Sequence, residues 1–189
     1  MASILSPQQV LHGYTMGIFP MADSDDNDSI NWYEPRMRGI IPLDGFNISK
    51  SLNQTLRSGK YTISINRNFD KVIRHCANRN ERWISDEIIE VFNELHNMEY
   101  AYSFEVCNQQ GALVGGLYGV AMGKAFFGES MFHTERDASK VALVYLIEWM
   151  KLREMELLDT QYITDHLKSL GGIEITQEEY LEKLLDALR

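Results

Sequence analysis

The spacing of apolar side chains changes period along this chain, and the change divides it into two halves. In the first half apolar positions recur at helical intervals. Ser6 followed by Pro7 supplies an N-cap and a first-turn proline for a helix over Gln8–Thr15. Ser49 caps a second helix running to about Arg57, with Gly59 as its stop. Phe69, Val72, Ile73 and Cys76 share one face of a third helix, over Phe69–Ala77. Ser85 and Asp86 open a fourth, with Ile88, Ile89, Phe92 and Leu95 on its apolar side. In the second half the period falls to two. "AYSFEVCN" alternates, "ALVGGLYGVAMG" is apolar and glycine-rich, and "KAFFGESMF" is dense in aromatic residues. The breaks "NQQG" and "MGK" between them suit tight antiparallel turns. A helix follows from Asp137 or Ser139 to about Leu152. Then come a short strand "ELLDTQY", a helix over "ITDHLKSLGG" and a last amphipathic helix over "TQEEYLEKLLDAL".

The second half therefore predicts three antiparallel strands, a helix, a strand and a helix. That order is typical of GNAT-type acyltransferases, an α+β fold whose mostly antiparallel sheet is flanked by helices and open at one edge to an acyl donor. The expected division is a small N-terminal lobe over residues 1–60 and a GNAT-like catalytic domain over residues 61–189. Element order by itself names no reaction.

Composition narrows the setting. A chain of 189 residues, 44% hydrophobic and 24% charged, is ordinary globular protein. Cys76 and Cys107 form no CxxC or Cys/His metal spacing, so neither a disulfide framework nor a metal is expected. No apolar run approaches the roughly 20 residues of a membrane helix, and "MASILSPQQVLHGY" lacks the pattern of a signal peptide. The expected location is the cytoplasm. A net charge of −9 argues at first against nucleic acid. From Arg36 to Arg82, however, ten basic residues face three acidic ones, a local charge of +7 that leaves −16 for the rest. A basic lobe on an acidic protein can meet phosphates through its local field. The acidic stretch Asp23–Asp28 reads either as a solvated loop or as an attractor for a basic acceptor.

Candidate chemistry then turns on the start of the helix near residue 138. In acetyl-CoA enzymes of this fold the turn there is glycine-rich, because phosphate needs close approach to backbone N–H groups. Here it is "HTERDASK", without glycine and with Glu135 and Asp137. Coenzyme A is a poor match, and no cofactor is expected. The stretches "GYTMGIFP", "NWYEPRMRGIIPL", "ISKSL", "RWIS", "VGGLYGVAMGKAFFGESMF", "ASKVAL", "LLDTQ" and "HLKSLGG" run in one order along the chain. In this the sequence resembles the leucyl/phenylalanyl-tRNA–protein transferases. The resemblance implies a GNAT-like fold and transfer of leucine or phenylalanine, with methionine tolerated, from aminoacyl-tRNA to proteins whose N-terminus is arginine or lysine. The product would be a bacterial N-end-rule degradation signal. The sequence departs from the family in a shorter first lobe, in "FPM" for "FPW", in "YEPR" for "SPDPR" and in Thr160 for a cysteine.

The resemblance places Asp159 and Gln161 at the reaction centre, and Glu129 is the third catalytic candidate. Asp159 and Gln161 are i and i+2 on one strand and would share a face. An ordinary aspartate near 3.9 is about 4 units from an α-amine near 7.7–8.0, so Asp159 is a poor base unless burial changes it; otherwise it holds the amine electrostatically. A strand-end carboxylate capping the next helix is the plain alternative. Glu129, a carboxylate in an apolar strand, needs a partner. That partner is either the donor's α-ammonium or an internal arginine or lysine. Alternation puts Phe126, Gly128 and Ser130 on one face and Phe127, Glu129 and Met131 on the other. The resemblance makes Leu117, Phe126, Gly128, Leu143 and Leu146 the aminoacyl pocket, selecting large side chains unbranched at Cβ, and Ser130 is a further candidate for it. Trp32 and Trp83 are candidates to stack on the 3′ adenosine, Trp83 also reading as a buttress of the cleft. Arg67, Lys71, Arg74, Arg79 and Arg82 are candidates for acceptor-stem phosphates. His12, His75, His96, His133 and His166 form no defensible triad or metal spacing.

Overall fold

A computed structural model describes residues 5–23, 29–78 and 83–189. The chain opens with α1 (Pro7–Thr15), set by the expected device: Ser6 and Gln9 form a reciprocal capping box ahead of Pro7. Strands β1 (Phe19–Asp23) and β2 (Ser29–Tyr33) pair as an antiparallel ribbon. Then follow β3 (Met37–Ile40), α2 (Lys50–Arg57), β4 (Tyr61–Ile65), α3 (Phe69–Ala77) and α4 (Asp86–Asn97). The serine caps expected at Ser49 and Ser85 are both formed.

The second half supplies the core of the sheet. Strands β5 (Ala101–Asn108), β6 (Leu113–Met122) and β7 (Ala125–His133) form an antiparallel meander. Helix α5 (Ala138–Leu152) crosses over to β8 (Leu157–Gln161), which lies parallel to β7. After α6 (Asp165–Ser169) comes β9 (Ile173–Thr176), a strand not expected from the sequence, and then α7 (Gln177–Leu188). The seven-stranded sheet runs β4-β5-β6-β7-β8-β3-β9. This is the expected α+β, GNAT-like arrangement, enlarged by β4 at one edge and by β3 and β9 at the other; β3, from the first 60 residues, pairs with both β8 and β9.

Each face of the sheet buries its own core. One gathers α1, α3, α4 and α7 over Tyr118, Val120, Phe127 and Phe132. The other gathers α5 and α6 over Phe104, Leu117 and Phe126. Where α5 crosses β6 the layers approach closely: a Cβ on Gly115 would lie 2.5 Å from that of Ala138.

Two features of the sheet make room for a site. First, β7 and β8 pair only from Ala125–Phe127 against Leu157–Asp159, so their continuations diverge. Second, β7 carries a bulge. Tyr118 faces Ser130 and Gly119 faces Gly128, so Glu129 is the extra residue. The bulge corrects the simple alternation. Phe126 and Met131 go to the α5 face, while Phe127 and Phe132 go to the opposite face. Gly119 is required beside it, since a Cβ there would lie 2.2 Å from the Phe127 carbonyl oxygen.

Candidate functional site

The fork between β7 and β8 opens a cavity of about 700 Å³. Its lining comes from both cores, so it passes through the sheet. On the α5 face Leu117, Met131, Leu143, Leu146 and Leu167 make an apolar chamber. On the opposite face Met21, His75, Asn78, Trp83 and Tyr118 make an aromatic and polar mouth. Between them lie Gly128, Glu129, Ser130, Thr160 and Gln161.

Glu129 is buried, with 7% of its surface exposed. Tyr14 Oη donates to its Oε1 at 2.5 Å, and Gln161 Nε2 donates to the same oxygen at 2.8 Å. Among the described residues, the hydrogen bonds to this carboxylate both fall on Oε1. The internal salt bridge expected as one alternative is not formed within these residues. Burial pushes the carboxyl up from an ordinary 4.5 to about 8; the charge of Asp159 adds to this, while Tyr14, Arg38 and Gln161 oppose it. The Tyr14 hydroxyl is held well above the usual phenol range by burial and by Glu129, so it remains a donor. Its ring stacks on Phe127 at 4.5 Å.

Asp159 is fully buried and differently employed. Arg38 binds it bidentately, Nε to Oδ1 at 2.9 Å and Nη2 to Oδ2 at 2.6 Å. Tyr180 Oη donates to Oδ2 at 2.7 Å, and the Gln161 backbone N–H donates to Oδ1 at 2.7 Å. The guanidinium also donates to the Gly17 carbonyl and lies between the rings of Phe19 and Tyr180. Burial opposes the charge on Arg38, and Asp159 more than offsets it, leaving the pKa above the ordinary value. Asp159 thus faces an internal cation and does not border the cavity. It caps no following helix either; Thr164 does that for α6. Its structural effect is on Gln161, whose backbone it holds at φ 63°, a left-handed conformation. Gln161 is thereby turned so that its amide reaches Glu129.

The expected pocket residues divide. Leu117, Gly128, Ser130, Leu143 and Leu146 line the cavity. Phe126 does not; it is fully buried against Phe104 and Trp149. Trp83 lines the mouth, whereas Trp32 is 39% exposed on β2 and packs over Gly13. Arg67, Lys71 and Arg74 are exposed. Lys71, Arg74, His75 and Asn78 fall at helical spacing, so this basic stripe ends at the mouth. Arg74 is shared with Asp70 at 2.9 Å. Arg79, Arg82 and residues 24–28 of the acidic stretch lie outside the described residues. Among those described, no group of His, Cys, Asp and Glu has the arrangement of a metal site. His133 Nδ1 and Ser139 Oγ approach to 3.2 Å at the chamber's outer rim.

Tyr14, Arg38 and Tyr180 were not singled out by sequence reasoning, and Met21 entered only as the departure "FPM" for "FPW". Tyr14 and Arg38 sit inside stretches that carry the family resemblance, but their partners are far along the chain, 115 residues away for Tyr14 and 121 for Arg38.

The family model for leucyl/phenylalanyl-tRNA protein transferase matches residues 40–185, and the model for its N-terminal domain matches residues 3–36. The chain belongs to this family. A leucyl/phenylalanyl-tRNA–protein transferase of Ruegeria sp. (strain TM1040) is 51% identical over 184 residues, covering 97% of this chain and 87% of the relative. One from Rhodopseudomonas palustris (strain HaA2) is 48% identical over 192 residues, covering 100% and 85%. Among solved structures, FemX superposes with a TM-score of 0.55 at 11% identity, over 94% of this chain and 70% of that one, a likeness of fold. Membership in the transferase family gives the cavity its context, an aminoacyl group carried on tRNA.

Proposed function

We propose that this protein transfers leucine or phenylalanine, with methionine tolerated, from aminoacyl-tRNA to the N-terminal α-amine of proteins beginning with arginine or lysine. The new peptide bond creates a degradation signal, and the reaction belongs in the cytoplasm. The observation that carries this reading is the cavity through the sheet. Its apolar chamber fits the donor side chain. Its mouth offers Trp83 and Met21 to the terminal adenosine, and Arg67, Lys71 and Arg74 point the way for the acceptor stem.

At the waist Glu129 and Gln161 meet the reacting groups, and Asp159 serves as a positioning residue through the Gln161 backbone. An aminoacyl ester is already activated, so holding amine and ester in contact supplies a large share of the rate. That no helix among the described residues is long and apolar enough to cross a membrane agrees with this reading. So does the start of α5, where Asp137 is the cap residue and no glycine offers a phosphate cradle for coenzyme A.

The test mixes the protein with radiolabelled leucyl-tRNA and a peptide with N-terminal arginine. Label in the peptide is the expected outcome. Acetyl transfer from acetyl-CoA without leucyl transfer, or tight tRNA binding without turnover, would replace the proposal.

A further inference from the structure

We infer that Glu129 is the general base of the transfer: its Oε2 takes the proton of the acceptor α-amine as that amine attacks the aminoacyl ester. This rests on the function proposed above and assigns the proton in it. Two buried carboxylates stand near the waist, and their geometry separates them. Both oxygens of Asp159 are occupied, by Arg38, by Tyr180 and by the Gln161 N–H, and the residue does not border the cavity. Glu129 borders the cavity, with both donors on Oε1 and none on Oε2. It is the carboxylate, of the two, with an oxygen free for substrate.

The charged and titratable groups around Glu129 come from five elements. Tyr14 of α1 donates to it directly. Asp159 of β8 and Arg38 of β3 lie behind it as a closed ion pair, with Tyr180 of α7 bonded to that pair. Tyr118 of β6 adds a second phenol nearby. Burial in this setting brings the Glu129 carboxyl to about 8. An acceptor α-ammonium ordinarily titrates near 7.7–8.0, so the neutral amine and the ionised Glu129 that the step needs become populated over the same pH range.

The step closes without a co-reactant. The amine nitrogen bonds to the ester carbonyl carbon while its proton passes to Glu129 Oε2. On collapse, the bond from carbon to the ribose oxygen breaks, and the proton returns from Oε2 to that oxygen. The products are the amide and a free ribose hydroxyl, with Glu129 ionised again. Tyr14, on Oε1, is a positioning residue that steadies the ionised carboxylate and leaves Oε2 to the substrate.

The experiment is single-turnover transfer from saturated leucyl-tRNA complex to an N-terminal-arginine peptide, followed from about pH 6 to pH 9 around the amine's ordinary range. Leucyl-tRNA binding is measured separately on each protein. Glu129→Gln keeps an oxygen for Tyr14 and Gln161 to donate to, so the fold is retained. Its expected effect is a fall in transfer rate of about 100-fold or more with leucyl-tRNA affinity little changed. Tyr14→Phe removes a bond that favours the ionised carboxylate, so the midpoint of the pH–rate profile moves to higher pH; the amine's own titration would leave it in place. A donor in which a hydroxyl replaces the α-amine should show the same loss with Glu129→Gln. The inference is overturned if wild-type protein transfers leucine and Glu129→Gln does so at the wild-type rate once saturated. It is equally overturned if that variant loses donor affinity instead, with the hydroxy-acid donor unaffected, because Glu129 would then hold the donor's ammonium. A wild-type protein that transfers no leucine sinks the proposed function, and this inference with it.

Discussion

At residue scale the site depends on two buried carboxylates that the fold treats in opposite ways. Asp159 is matched by Arg38, and breaking such a pair leaves a charge stranded in the core. Arg38→Met should therefore cost about 3–5 kcal/mol, read as a lower urea midpoint, and should reduce transfer by releasing Gln161. Glu129 is partnered by neutral donors and is raised to about 8 in the fold from an ordinary 4.5. The sign follows from linkage. A carboxyl raised on folding favours the native state while it is protonated in both states, below about 4.5, and that contribution is lost as pH rises through about 8. The unfolding free energy should fall by a few kcal/mol over that interval from this group. Chemical denaturation of wild type and Glu129→Gln at pH 5.5 and 8.5 tests this, pH values of about one unit inside and just beyond the window. The variant should lose that part of the pH dependence and be the more stable of the two at the higher pH.

Among the elements, β7 decides most. Its sequence "KAFFGESMF" reads as an alternating strand, and the alternation holds on each side of Glu129 but not across it. A bulge has no fixed residue signature, so its position shows only when β6 supplies the opposing register. Gly119 is the partner that accommodates it. Gly119→Ala would push a methyl into the Phe127 carbonyl and should destabilise by about 1–3 kcal/mol, visible as a Tm several degrees lower. The helices are another matter. Ser6, Ser49, Ser85 and Thr176 each accept a backbone N–H at the start of a helix, and these caps act over three residues. Local devices of that kind are legible in a sequence. The strands β3 and β9 are short, β3 taking its backbone partners from β8 and β9 and β9 from β3, so nothing within four residues marks either.

For the whole molecule, charge distribution matters more than the net −9. The basic stripe through Lys71 and Arg74 leads to the cavity mouth on a protein that is otherwise acidic. Affinity for leucyl-tRNA should fall steeply with salt, and Lys71→Ala or Arg67→Ala should each reduce the slope of log affinity against log salt by about one. Filter binding at several salt concentrations measures this. Arg74 should matter less, because Asp70 competes for it at 2.9 Å.

The sequence by itself determined what is short in range or repeated in pattern: helix starts, the three-strand meander, the crossover to β8 and the family to which the chain belongs. It also marked Glu129 as a carboxylate out of place in an apolar strand, while Asp159 and Gln161 stood out through the family resemblance. Only the tertiary structure decided what each does. The partners that settle it, Tyr14 for Glu129 and Arg38 for Asp159, are 115 and 121 residues away. A carboxylate's role is set by which of its oxygens are occupied and by how far water is excluded. Both are properties of packing between distant segments, and no local pattern in the chain encodes them.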